Sequence, residues 1–176
     1  MIMRPGQQLL LPAKPLFIWS TLVTALGLSM LQNIGLWGRA AWAPDCLALV
    51  LVFWTVHQPQ RVGMASAFAF GLLIDVHQGA ILGQHGLAYT VMSYLAIALQ
   101  RRLLWFTVPS QALQVLPLFL VSHAIELGVR MAAGGRFPGL PLLLAPLLES
   151  LLWPVVSILL LLPQRRAPDR DAHRPL

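Results

Sequence analysis

The chain has 176 residues, of which 57% are hydrophobic and only 10% are charged. A soluble domain has about 45–50% apolar and about 25% charged residues, so this composition excludes water as the main solvent. The net charge of +6 would suit a nucleic-acid binder, but the arginines lie between apolar runs and not on one soluble face. The composition therefore predicts an all-α integral membrane protein that binds membrane lipids, not nucleic acid.

The apolar runs predict about six transmembrane helices in a single domain, residues 1–162. A membrane helix needs about 20 apolar residues, and the runs are separated by short polar or glycine- and proline-containing segments. The tail 163–176, rich in arginine and proline, is predicted to be disordered. The predicted spans are 16–37, 40–56, 62–76, 85–99, 108–131 and 140–162.

The cationic residues predict the orientation of these spans. Six spans place both termini on one side, and nine of the twelve lysines and arginines then fall on that side. Only Arg39, Arg130 and Arg136 fall on the other. Since cytoplasmic loops carry an excess of Lys and Arg, both termini, including the tail, are predicted to be cytoplasmic.

Small residues precede an acidic residue at four-residue intervals in the third predicted span: Gly63, Ala67, Gly71 and Asp75. This spacing places them on one helical face, where small residues let another helix approach closely. A charge at bilayer depth costs at least about 2.5 kcal/mol, so Asp75 is expected to face protein. Two interpretations stay open: a docking or gating carboxylate, and a structural group that caps the following loop or pairs with an arginine.

The loop after Asp75 carries His77, Gly83 and His85, with Tyr89 one turn further. An aspartate and two histidines can bind a metal. No second carboxylate or cysteine has ligand spacing here, however, so no metal site is predicted. His85 and Tyr89 are instead expected to attach the loop to the fourth span.

The last two spans contain three ionisable residues: His123, Glu126 and Glu149. His123 and Glu126 are three residues apart and share a helix face, which predicts a mutual hydrogen bond. Glu149 is expected inside the bundle, with no partner that the sequence identifies. Zinc-protease, di-iron, nucleophile-elbow and Walker motifs are all missing from the sequence, so neither an enzyme nor a cofactor is predicted.

Over essentially its whole length, the chain resembles the MreD family of rod shape-determining membrane proteins, with the recognisable motifs between Pro44 and Arg102. The resemblance rests on Pro59-Gln-Arg61-Val-Gly63, on Gly71-Leu-Leu-Ile-Asp75 and on Leu82-Gly83-Gln-His85. It implies a non-enzymatic scaffold of the cell-wall elongation machinery in the bacterial inner membrane. It also implies the partner MreC and, through MreC, MreB filaments, RodA and a penicillin-binding transpeptidase. The implied helical arrangement is similar to that of the S-components of energy-coupling-factor vitamin transporters.

Three functions are considered as hypotheses, and the least favoured is an intramembrane hydrolase, because the sequence has no nucleophile motif. In the first, the transmembrane helix of MreC packs against the face of Gly63, Ala67 and Gly71. In the alternative, the protein is a small-molecule-binding membrane subunit of a vitamin-type transporter. Its pocket would be lined by Asp75, His77, His85, His123 and Glu126. The sequence leaves open whether the protein forms homo-oligomers.

Overall fold

The computed structural model describes residues 13–32 and 42–164. Predictions for residues 1–12, 33–41 and 165–176 lie outside the described residues; these include the end of the first span, Arg39 and most of the tail. The described residues form helices and no strands, which confirms the all-α class. The helices are α1 (Pro15–Leu31), α2 (Cys46–His57), α3 (Met64–Gln78), α4 (Gln84–Leu103), α5 (Val108–Ala132) and α6 (Leu144–Leu161), with 3-10 turns at Leu140–Leu143 and Leu162–Gln164.

Two segments are long and apolar enough to cross a membrane on their own. They are α5 and the continuous segment Leu140–Gln164, which contains α6, and each has 25 residues. The apolar helices α1 and α2 are shorter, with 17 and 12 residues. Crossing of the membrane by all six helices therefore stays a prediction.

The helix bounds differ from the predicted ones at the second span and at the tail, and α4 continues to Leu103, beyond the predicted end at residue 99. Residues 42–45 are not helical, and α2 begins at Cys46 because the carboxylate of Asp45 caps it, accepting from Leu47 N at 2.9 Å and Ala48 N at 3.2 Å. The predicted disordered tail begins too early, since residues 163 and 164 belong to a 3-10 turn. Gln164 is buried there, and its amide donates to Leu160 O at 2.8 Å.

Hydrogen bonds between helices define two ends of the bundle. At the end called here the Arg61 end, Arg61 Nη1 donates to Ala13 O at 3.0 Å and Gln100 Nε2 to Val56 O at 2.7 Å. At the opposite end, called the Asp45 end, Ser29 Oγ donates to Asp45 Oδ1 at 3.3 Å. In the predicted orientation, the Arg61 end faces the cytoplasm.

The core is apolar, and so are the outer faces of the helices. α2 lies at the centre, with most of its residues from Leu47 to Val56 buried. Large apolar side chains point outward elsewhere, including Leu16 (82% exposed), Val76 (70%) and Leu151 (72%). A water-soluble monomer rarely exposes extended apolar surface, whereas lipid tails are a favourable solvent for such faces.

Candidate functional site

Seven polar residues meet at the Asp45 end and are called here the polar cluster: Asp45, Asp75, His85, Tyr89, His123, Glu126 and Glu149. They come from the start of α2 and from α3, α4, α5 and α6. All four carboxylates within the described ranges belong to it. The ion pairs found within the described part of the chain all join these carboxylates to the two histidines, so no lysine or arginine takes part.

Asp75 is fully buried in the last turn of α3, where it caps the following loop. The chain turns back at Gly79, whose φ of 60° is left-handed, and this brings the start of α4 to the carboxylate. Asp75 accepts from Gly83 N at 2.8 Å, His85 N at 2.9 Å and Gly86 N at 3.3 Å. Of the two interpretations of this residue, the structure shows the cap of the glycine-containing loop.

His85 continues the cluster from Asp75 towards α5. Its Nδ1 lies 2.7 Å from Asp75 Oδ1, a hydrogen-bond distance, and its Nε2 lies 3.9 Å from Glu126 Oε2. His123 Nδ1 lies 3.5 Å from the same oxygen, Glu126 Oε2. Glu126 thus lies between two imidazoles, and Ser122 Oγ donates to its Oε1 at 3.3 Å.

His123 makes its close contact across to α6 and not along its own helix. Its Nε2 lies 3.0 Å from Glu149 Oε1, whereas its distance to Glu126 is longer than a normal hydrogen bond. The predicted mutual hydrogen bond of His123 and Glu126 is therefore wrong in its geometry, although the two do face each other. Glu149, for which the sequence identified no partner, has one in His123.

Glu149 also connects the cluster to α2. Its Oε1 accepts from the backbone N of Asp45 at 2.9 Å, and Tyr89 donates its hydroxyl hydrogen to Asp45 Oδ2. Sequence reasoning missed Asp45 as a site residue. A Pro-Asp pair directly before an apolar run is an N-cap signal, and it would have found the residue but not its partners on α4 and α6.

Two predicted polar residues lie outside the cluster: His77 of the predicted loop, and Arg61 of the family motif, for which a partner-binding or structural role is predicted. His77 is exposed, and its Nε2 lies 3.2 Å from Met30 O on α1. Arg61 is at the opposite end of the bundle. The five side chains of the predicted vitamin-type pocket therefore do not share one place, because His77 lies apart and the other four contact one another.

The small-residue face of α3 is covered within the chain itself. A Cβ atom at Gly71 would lie 2.5 Å from both Gly86 Cα and Gly86 N, so α3 and α4 are in backbone contact there. Ala67 is fully buried as well, while Gly63 is half-buried. As a surface for the helix of another protein, the predicted face is wrong at Ala67 and Gly71, because a partner would have to displace α4 from Gly71.

The geometry of the cluster is suited to fixing helices to one another. Among the described residues, no group of three or more His, Cys, Asp or Glu side chains is arranged to hold a metal ion. The cluster instead joins the start of α2 to four other helices through direct side-chain contacts.

Apolar outer faces around one buried polar cluster define a helical membrane protein. The family model described as rod shape-determining protein MreD matches residues 13–162, and the chain belongs to that family. A relative from Haemophilus influenzae, named rod shape-determining protein MreD, is 28% identical over 148 residues, which are 81% of this chain and 89% of the relative. The resemblance seen in the sequence is thus confirmed. No solved structure matches the chain, so the likeness to S-components stays a prediction.

Proposed function

We propose that the protein is a non-enzymatic scaffold of the cell-wall elongation machinery in the bacterial inner membrane, with both termini in the cytoplasm. It binds MreC and acts through it with MreB, RodA and a penicillin-binding transpeptidase. The observation that carries this proposal is the family match over residues 13–162, since membership supports a role in determining rod shape.

The distribution of polar and apolar side chains supports a scaffold. The ionisable groups of the described membrane region are mostly engaged with one another, and the outer helix faces are apolar. Membrane helices associate through van der Waals packing and small numbers of interhelical hydrogen bonds. An apolar outer face is therefore suited to bind the transmembrane helix of a partner such as MreC.

Removal of the protein from a rod-shaped cell tests the role. Depletion is expected to make the cells lose their rod outline, and expression of the full chain is expected to restore it. Purification of the tagged full chain in mild detergent is expected to recover MreC from the same cells. Depleted cells that keep their rod outline would contradict the elongation role, and loss of shape without recovery of MreC would contradict the proposed partner.

The outer face that meets MreC can be found with single substitutions on separate helices. Phe68→Ala, Leu151→Ala and Val23→Ala shorten exposed side chains on α3, α6 and α1, and each serves as the control for the other two. A specific face is expected to reduce MreC recovery for one variant while the folded yield of all three stays the same. Equal recovery for all three would place the contact outside these faces.

A further inference from the structure

The polar cluster has more acidic groups than its own bases can neutralise. It holds four carboxylates and two imidazoles, so two negative charges remain even when both imidazoles are protonated. Burial of an unpaired charge costs several kcal/mol, and a buried carboxylate avoids this cost by taking up a proton. Proton uptake by a carboxyl group of the cluster therefore lowers the cost of burying that group.

Within the described ranges, the neighbouring elements contribute no positive charge that pairs with the cluster. α1 contributes the hydroxyl of Ser29, α2 adds the thiol of Cys46 beside Asp45, and His77 of α3 faces Met30 O. Arg130, one turn beyond Glu126, and Arg136, in the following loop, are exposed and form no ion pair with the cluster in the described ranges.

The carboxylates differ in how well their ionised form is stabilised. Asp75 accepts three backbone N–H groups and faces His85, and Asp45 accepts two backbone N–H groups and the Tyr89 hydroxyl. Both carboxylate oxygens of each aspartate therefore have hydrogen-bond donors.

Glu149 differs from the two aspartates in that one of its carboxyl oxygens has no hydrogen-bond donor among the described residues. Its side chain is fully buried, and although Oε1 has two partners, Oε2 has none among the described residues. An unpartnered oxygen of a neutral acid costs far less in a buried site than an unpartnered oxygen of a carboxylate. Glu149 is thus the carboxyl group of the cluster that best accommodates a proton.

His123 and Glu126 link the buried Glu149 to a side chain that is partly exposed at the surface of the bundle. The side chain of Glu126 is 15% exposed, and its Oε2 is close to His123 Nδ1, which has no hydrogen-bond partner in the described part of the chain. The opposite ring nitrogen of His123 faces Glu149. His123 thus faces one carboxyl group with each ring nitrogen, at 3.0 Å and 3.5 Å, and an imidazole in this position can relay a proton once the longer contact closes.

We propose that the polar cluster is a proton-binding site, in which Glu149 is a neutral carboxylic acid at neutral pH and exchanges its proton through His123 and Glu126. In the exchange, the O–H bond of Glu149 breaks as an N–H bond forms at Nε2 of a neutral His123. The N–H bond at Nδ1 breaks at the same time, and an O–H bond forms on Glu126. The net transfer is one proton from Glu149 to Glu126, and the imidazole is neutral before and after, with its N–H moved from Nδ1 to Nε2.

Infrared spectroscopy of the full chain in lipid nanodiscs tests this proposal. A glutamate in water has lost its proton at neutral pH, so a carboxylic acid C=O band there reports a buried acid. The chain has only two glutamates, and the band is expected to shift when glutamate is labelled with carbon-13. Glu149→Gln is expected to remove the band. Glu126→Gln should retain it but slow its exchange with deuterium by about 100-fold.

A matched control uses Asp169 and Asp171, the two acidic residues of the sequence that do not belong to the cluster. The double variant Asp169→Asn, Asp171→Asn changes the tail and is expected to leave the band unchanged. Absence of an acid band from the unmodified chain, or a band that ignores the glutamate label, would overturn the proposal even if the variants fail to fold. A band that persists in folded Glu149→Gln would overturn it too. None of these outcomes depends on the role in rod shape.

Discussion

The α3–α4 pair and the α5–α6 pair are held together by different means. α3 and α4 meet backbone to backbone at Gly71 and Gly86, and Asp75 is satisfied mainly by main-chain donors. α5 and α6 meet through side chains: His123 with Glu149, Trp153 with Gln111, and Ser150 with Ala112 O. Side chains can change rotamer after a substitution, whereas two backbones in contact have no such freedom. Substitutions that place an atom directly in the backbone contact are therefore expected to cost more than substitutions that disturb side-chain contacts.

The largest effect is expected for Gly71→Ala. Its methyl group would lie 2.5 Å from the backbone of Gly86, so the two helices must separate. Overpacking costs about 1–3 kcal/mol, and a backbone clash is expected to reach or exceed the upper value. Thermal unfolding in detergent measures the loss. Gly128→Ala on α5 is the control, because its Cβ meets no atom within 4 Å; equal stability of the two variants would contradict a tight α3–α4 contact.

Asp75→Asn is expected to lower the free energy of unfolding by about 2 kcal/mol. The amide nitrogen of asparagine cannot accept a hydrogen bond, so some of the backbone N–H groups around it lose their acceptor. The substitution removes the charge that three backbone N–H groups and His85 now share. Unfolding of the purified variant in detergent checks this value. His77→Gln changes an exposed residue nearby and should leave the transition in place; a larger shift for His77→Gln would reverse the assignment of the cap.

At the α5–α6 pair, Trp153→Phe is expected to cost about 1 kcal/mol. The ring stays buried, but the hydrogen bond from Trp153 Nε1 to Gln111 Oε1, 3.2 Å long, is lost. The same unfolding assay in detergent measures this loss of stability. A double-mutant cycle with Gln111→Ala separates the hydrogen bond from packing, and fully additive effects would show that the bond contributes nothing.

The smallest effect is expected for Gly86→Ala, although it lies in the same contact as Gly71. Its Cβ would meet the Phe68 ring at 3.2 Å and Leu72 Cδ2 at 3.4 Å, which are side-chain atoms that can move. Replacing glycine by alanine inside a helix gains about 1 kcal/mol, which offsets the crowding. The melting temperature is expected to change little. A loss as large as that of Gly71→Ala would show that Phe68 and Leu72 cannot adjust.

The sequence predicts the existence and order of the helices well, because each apolar run is bounded by polar or proline-containing residues. α5 shows this most clearly: the predicted span 108–131 and the observed Val108–Ala132 differ by one residue. The start of α2 was missed because the apolar residues before Asp45 hide its cap. Such a cap is a local hydrogen-bond feature that hydrophobicity does not report.

The site was predicted residue by residue but not as one cluster. Periodicity identified Asp75, His85, His123 and Glu126, since each belongs to a short local pattern. The contact of His123 with Glu149 joins residues 26 positions apart, and that of Asp45 with Glu149 joins residues 104 apart. Pairings across helices depend on how the bundle packs, and a single sequence without pairing information does not specify them.

The acidic side chains of the described residues are gathered inside the bundle, so the charged side chains near the lipid headgroups are basic. Because every carboxylate of residues 13–32 and 42–164 lies in the polar cluster, the rim of the bundle is cationic. Its exposed charged side chains are Lys14, Arg61, Arg101, Arg102, Arg130 and Arg136. Anionic lipids therefore meet cations without competing surface acids in these ranges, and each basic residue near an anionic surface contributes about 1 kcal/mol of attraction. The exposed charged side chains at both ends of the bundle are therefore basic within these ranges, which suits contact with anionic headgroups.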